Sequence, residues 1–231
     1  LHSFPTRRSS DLDRCTYYMR KYAYVLPVDI VQYFPSIKHE ILFCRLAEAI
    51  SDQNVLRLCQ LIISSGEGIH HLSDQPCGLP IGNLTSQFWA NVYLNPLDQF
   101  IKLQLGCKAY IRYVDDMLFF SNSKEILHGW LDEIKKYLCL LELIIHQNSA
   151  QCRPTSSGIP FLGFQVFPDH RRLKRRNVDN TRKRFKNMVI EYEKGIITQR
   201  KITERVQAWI AHASHCDSWS LRKKILDTIV L

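Results

Sequence analysis

Residues 108–121 read KAYIRYVDDMLFFS. Two apolar runs rich in aromatic and β-branched residues flank a pair of acids, which predicts two strands around a tight turn occupied by Asp115 and Asp116. Burying adjacent carboxylates is costly, because like charges repel and desolvation adds to the repulsion. Two readings stay open on these residues alone. One is a solvent-exposed Asp-Asp turn; the other is a pair of acids held by divalent cations, for which oxygen ligands are suited. A third acid, Asp29, stands near the end of residues 24–30 (YVLPVDI), an apolar run that Pro27 interrupts and that predicts a short or irregular strand.

Around this acidic hairpin the chain alternates helix and strand. After Pro35 and Ser36, the residues Ile37, Ile41, Leu42 and Leu46 recur at helical spacing. A second helix is expected over residues 52–64, with Val55, Leu58, Cys59 and Ile62 on one face. Residues 65–83 are rich in Gly, Ser and Pro and predict a loop. Residues 84–94 predict a helix, with Pro96 either starting a new one or kinking this one. Residues 124–140 form an amphipathic pattern through Ile126, Leu127, Trp130, Ile134, Tyr137 and Leu138. Residues 142–146 and 161–167 predict strands, and from Arg171 the chain is expected to be basic and helical to its end. The fold class is α+β, a mixed core followed by a helical tail.

Composition narrows the function classes. A chain of 231 residues with 45% hydrophobic content can bury a sizeable core. No apolar run approaches the length of a membrane span, and no secretory signal opens the sequence, so no membrane partner and a cytoplasmic location are expected. The eight cysteines are scattered without a CxxC pair, which argues against a zinc site or a disulfide framework. His212, His215 and Cys216 lack a fourth ligand of matching pattern and are read as helix packing. Residues 1–12 (LHSFPTRRSSDL) show neither helical nor strand periodicity; they resemble translated sequencing-adapter read-through and are read as a non-native segment. The formal net charge of +9 is concentrated: residues 171–201 carry twelve Lys and Arg against Asp179, Glu191 and Glu193, and the rest of the chain is balanced. Such a run suits a polyanion, most naturally nucleic acid, with Arg171, Arg172, Lys174, Arg175 and Arg176 as its core.

Four strings together resemble the reverse transcriptases, in that family's order: DIVQYFPSI (residues 29–37), GLPIGNLTSQFWANVYLNPLDQF (78–100), YVDD (113–116) and FLGF (161–164). The resemblance spans about residues 13–231. It implies a right-hand polymerase palm of antiparallel sheet and helices, with partial fingers over residues 13–170 and a basic helical thumb over 171–231. It implies RNA-templated DNA synthesis from dNTPs on a DNA or RNA primer, using two Mg²⁺ ions, for which Mn²⁺ could substitute. Carried over residue by residue, Asp29 and Asp115 would bridge both metals, Asp116 would complete the catalytic set, and the Ile30 carbonyl would be a further ligand. Phe34 would be the bulky gate against a ribose 2′-hydroxyl. Pro80, Ile81, Gly82 and Gln87 would contact nucleotide and template, and Phe161, Leu162 and Gly163 would form the primer grip.

Ile81 marks the subclass. Many reverse transcriptases carry Gln there, and IGNLTSQ (residues 81–87) is similar to the enzymes of diversity-generating retroelements, whose family trait is error-prone copying opposite template adenine. An accessory retroelement protein is compatible with that subclass. Isoleucine cannot donate or accept the hydrogen bond that a glutamine amide can. Two departures bear on activity. Asp29 lies close to the start of the native-like sequence, where the family has a longer fingers region, so Arg20 and Lys21 have no assignable triphosphate role. In HQNSAQCRP (residues 146–154), Ser149 stands where the family usually has lysine. The alternatives are a group II intron-like or defence-associated reverse transcriptase, and a truncated nucleic-acid-binding remnant without activity.

Overall fold

In the computed structural model, residues 5–65, 76–80, 82–146 and 149–227 are described. The chain divides into two compact units, one made of Tyr22–Arg153 and the other of Leu1–Lys21 with Pro154–Leu231.

The first unit is built on a four-stranded sheet of order β2-β3-β1-β4, from β1 (Tyr24–Val28), β2 (Tyr110–Tyr113), β3 (Asp116–Ser121) and the two-residue β4 (Arg153–Pro154). β1 pairs antiparallel with β3, Val28 opposite Met117, and β2 pairs antiparallel with β3, Tyr113 opposite Asp116. Pro27 is tolerated inside β1, opposite Leu118, because so short a β4 leaves most of that side of β1 without ladder bonds to lose. Helices accompany this sheet, α2 (Tyr33–Ser36), α3 (His39–Ala49), α4 (Gln53–Ser64), α5 (Leu84–Gln99) and α6 (Lys124–Leu140); α6 packs on β1 and β3, and α3 packs on α4 and α5. Their buried residues, among them Leu42, Trp89, Tyr93, Leu94, Ile134 and Leu138, join Leu26, Val28 and Phe119 in one core. Ser123 caps α6, its hydroxyl accepting from the Ile126 amide at 3.2 Å, and Asp52 caps α4 through the amides of Asn54 and Val55 at 2.8 and 3.1 Å.

Several expectations change. α4 buries Leu56, Cys59 and Ile63, leaving Val55 and Leu58 exposed; the helix carries apolar residues on both sides, so spacing alone did not choose the face. α5 runs through Pro96 and continues as a π-helical turn over Phe100–Gln104. Residues 142–146 are not a strand; Ile145 makes a single bridge to Ile30.

The second unit holds a three-stranded antiparallel sheet of order β5-β6-β7, from β5 (Ile159–Phe161), β6 (Phe164–Val166) and β7 (Arg171–Leu173), with helices α1 (Pro5–Lys21), α7 (Arg175–Glu193), α8 (Gln199–Ala213) and α9 (Trp219–Leu226). The basic stretch therefore opens as a strand and becomes helical only at Arg175, because Arg171 and Arg172 pair with Val166 and Gln165. The amino-terminal stretch is helical from Pro5 rather than aperiodic, and Leu12, Cys15 and Met19 are buried. α7 buries Val178, Thr181, Phe185 and Met188, a single stripe at helical spacing, and Phe185 meets Trp209 of α8 edge to face at 5.5 Å. His212 packs against the Phe164 ring at 4.8 Å with the planes tilted by 46°, which accords with a packing role. Among the described residues no helix is long and apolar enough to cross a membrane.

Candidate active site

The β1–β3 ladder brings the acids together. Asp29 directly follows Val28, whose partner Met117 lies two residues beyond Asp115. The backbone holds Asp29 from the other side as well: its carbonyl accepts from the His146 amide at 2.8 Å, and the Val31 amide donates to the Ile144 carbonyl at 2.8 Å. These two bonds flank the Ile30–Ile145 bridge and leave the Ile30 carbonyl unused by it.

Asp115 is half-buried and its carboxyl is pushed above the ordinary carboxylate range. Burial is the main cause; its own backbone N–H opposes it, the Asp29 charge adds to it, and the Arg112 guanidinium opposes it. Asp116 is not in the turn but is the first residue of β3, with an exposed side chain. Among the described residues no group of three or more His, Cys, Asp and Glu side chains is gathered as a metal cluster. The donor chemistry that does exist is a pair of carboxylates, Asp29 and Asp115, within electrostatic reach of each other. It fits a hard divalent cation, which would relieve their repulsion.

The turn between β2 and β3 is a two-residue loop, Val114-Asp115, closed by the Tyr113–Asp116 pair. Val114 has φ +60°, a conformation strained for a β-branched residue, at the first central position where such hairpin loops favour glycine. Beside it lies a network that sequence reading did not identify. Arg112 of β2 grips Asp98 of α5 with Nε at 2.8 Å and with Nη2, and its Nη1 donates to the Asn91 side-chain oxygen and to the Val114 carbonyl, both at 2.9 Å. The Tyr110 hydroxyl also donates to Asp98, at 2.8 Å. The signal was an arginine inside an apolar strand, since a buried charge demands a partner; its acid, on a helix earlier in the chain, could not be named.

Phe34 sits on α2, partly buried, edge to face with Tyr33 at 5.7 Å. Residues 76–80 run alongside it: the Leu79 amide donates to the Phe34 carbonyl at 3.1 Å, the Gly78 amide to the Ile37 carbonyl at 2.9 Å, and Cys77 bridges Lys38. The structure thus brings Pro80 into the neighbourhood of Phe34. The Pro80 carbonyl accepts from the Ser86 hydroxyl at 2.7 Å, which ties the loop to the start of α5. Gly82 has φ +102°, a conformation other residues rarely adopt. Gln87 is exposed on the first turns of α5. Ile81 lies outside the described residues.

In the other unit, Leu162 and Gly163, φ +48° and +88°, turn the β5–β6 hairpin between Phe161 and Phe164. The Gly163 carbonyl accepts from the Asn177 side chain at 3.1 Å, fixing this turn to α7. Arg171 is turned inward: its guanidinium donates to the Thr16 hydroxyl at 2.8 Å and to Asp13 at 2.6 Å. Arg172 lies over the Phe167 ring, and its side chain is exposed. Arg175 and Arg176 are exposed in the first turn of α7, where the helix dipole disfavours cations and favours an anion. Ser149 donates to the His146 carbonyl at 2.7 Å.

A family model described as reverse transcriptase (RNA-dependent DNA polymerase) matches residues 2–166. No curated protein matches the chain. Among solved structures, apo telomerase from Candida tropicalis truncated from the C-terminal domain is similar, with TM-score 0.56 and 13% identity over 75% of this chain and 40% of that one. Telomerase from Candida albicans in complex with a TWJ fragment of telomeric RNA has TM-score 0.55 and 11% identity, covering 80% of this chain and 38% of that one. At these identities the likeness is one of fold, and the chain spans two fifths or less of the lengths of these structures.

Proposed function

Because the chain belongs to the reverse transcriptase family, we propose that it carries out RNA-templated DNA synthesis, extending a primer with dNTPs. The observation that carries this reading is the approach of Asp29 to Asp115, sufficient for one charge to act on the other. In this reading Asp29 and Asp115, with the Ile30 carbonyl and Asp116, hold two Mg²⁺ ions, with Mn²⁺ as a substitute. When bound, the metals supply charge stabilisation to the attacking and leaving oxygens of a phosphoryl transfer.

The remaining roles belong to the protein. Phe34 closes the space beside the sugar, so a ribose 2′-hydroxyl is excluded by volume. Ile81 acts at the nascent base pair, where an aliphatic group offers shape without a hydrogen bond; Pro80 and Gly82 contact the nucleotide beside it. Gln87, on the exposed start of α5, contacts the template. The Phe161–Gly163 turn grips the primer, and Arg172, Lys174, Arg175 and Arg176 neutralise its phosphates. Support for an RNA template comes from the family and from the Candida albicans telomerase of similar fold seen with an RNA fragment. Copying is error-prone, as in diversity-generating retroelements, because geometry alone rejects mismatches at Ile81.

The test is primer extension on an RNA template with purified chain, dNTPs and Mg²⁺. Extension by the parent chain and its loss in Asp115→Asn are expected. A parent chain that binds template–primer yet adds no nucleotide would leave only a binding remnant.

A further inference from the structure

We infer that Arg112 is a positioning residue for Asp115, clamping the strained Val114-Asp115 turn to Asp98 of α5 so that the Asp115 carboxylate faces Asp29; this rests on the polymerase reading above. Arg112 touches neither substrate nor metal in this role. Its side chain is only 10% exposed and that of Asp98 19%, so the pair is shielded from water and holds its geometry. The guanidinium is a rigid fork, and both ends of it are engaged. One edge grips Asp98 through Nε and Nη2, and the remaining nitrogen, Nη1, donates to the carbonyl of Val114 and to Asn91.

That carbonyl belongs to the strained residue. A β-branched residue with positive φ is disfavoured by roughly five- to 150-fold in population unless its surroundings hold it. The hydrogen bond from Arg112 is such a hold, and Asp98, itself fixed by the Tyr110 hydroxyl, anchors the arginine. Without it the two-residue loop relaxes, and Asp115, its second residue, swings away from Asp29. Lysine can keep the charge but cannot reach Asp98, Asn91 and Val114 at once. Glycine at 114 would remove the strain and with it the need for the clamp.

The experiment compares the parent chain, R112K, V114G and R112K/V114G. Mn²⁺ binding is followed by electron paramagnetic resonance without nucleotide, template–primer affinity by anisotropy, and kcat and KM for dNTP by primer extension. R112K is expected to weaken Mn²⁺ binding and lower kcat by about tenfold or more, with template–primer affinity and KM within about threefold. R112K/V114G is expected to recover most of both losses. A general folding role for Arg112 would move template–primer affinity as well and would not be rescued at 114; that outcome, or unchanged Mn²⁺ binding in R112K, overturns the inference. A parent chain that binds Mn²⁺ without extending primers would sink the polymerase reading, while the Mn²⁺ titrations would still decide the role of Arg112.

Discussion

Val28 lies opposite Met117 in the β1–β3 ladder, and this single pairing brings Asp29 to Asp115 across 86 positions of sequence. Asp29 follows β1 and Asp115 stands in the turn between β2 and β3, so the site exists only when the sheet is in register. A one-residue slip would turn one acid to the opposite face.

Asp115→Asn should abolish primer extension and leave template–primer affinity within about twofold, since the carboxylate serves the reaction rather than the phosphate neutralisation that dominates affinity. The same change should not destabilise the metal-free chain near neutral pH. Burial and the Asp29 charge raise the Asp115 pKa, so its ionised form opposes folding above the ordinary carboxylate range. Lowering the pH through the raised folded-state pKa protonates the wild-type group and removes any stability gap. Thermal melts of the two chains at several pH values check this.

Arg175→Ala with Arg176→Ala should weaken template–primer binding without sequence preference and flatten its salt dependence by about 0.7–0.9 for each phosphate that is no longer neutralised. Arg171→Ala should behave differently. Its guanidinium binds Thr16 and Asp13 within its own unit, so the expected result is a lower melting temperature with an unchanged salt slope. Salt titrations of affinity, run beside thermal melts, separate the two.

Phe34→Ala should admit ribonucleotides. Volume exclusion in a pocket is worth roughly ten- to 200-fold, so discrimination between dCTP and rCTP should fall within that range. Competitive incorporation on one RNA template measures it.

Ile81→Gln should lower misincorporation, most visibly opposite template adenine. One oriented hydrogen bond contributes about 0.5–1.5 kcal/mol, or roughly two- to tenfold in selectivity. Sequencing cDNA from both chains on one template is the measurement; equal error spectra would reduce Ile81 to packing.

The cysteines should divide by burial. Burial pushes the Cys15 and Cys107 thiols up to about 12, so almost none of either is thiolate at pH 8, whereas Cys44 and Cys139 are exposed. Iodoacetamide at that pH should label Cys44 and Cys139 and spare Cys15 and Cys107 in the folded chain, as peptide mass spectrometry would show.

Order along the chain was legible before any folding was considered. Most of the apolar face of α6, the Asp-containing hairpin and the four reverse transcriptase strings could be read because helical and strand periods, turn residues and short motifs are properties of neighbouring residues, although α6 exposes Ile126, expected on that face, and buries Leu131 instead. Relationships between distant residues came from packing alone. Packing chose which apolar stripe of α4 is buried, because both stripes satisfy the helical period. It turned Arg171 inward to Asp13 and Thr16, although the residue reads as one more cation in a basic run. It paired Arg112 with Asp98 and set the pair against a strained valine, because a buried charge demands a partner but its sequence does not say where in the chain that partner stands.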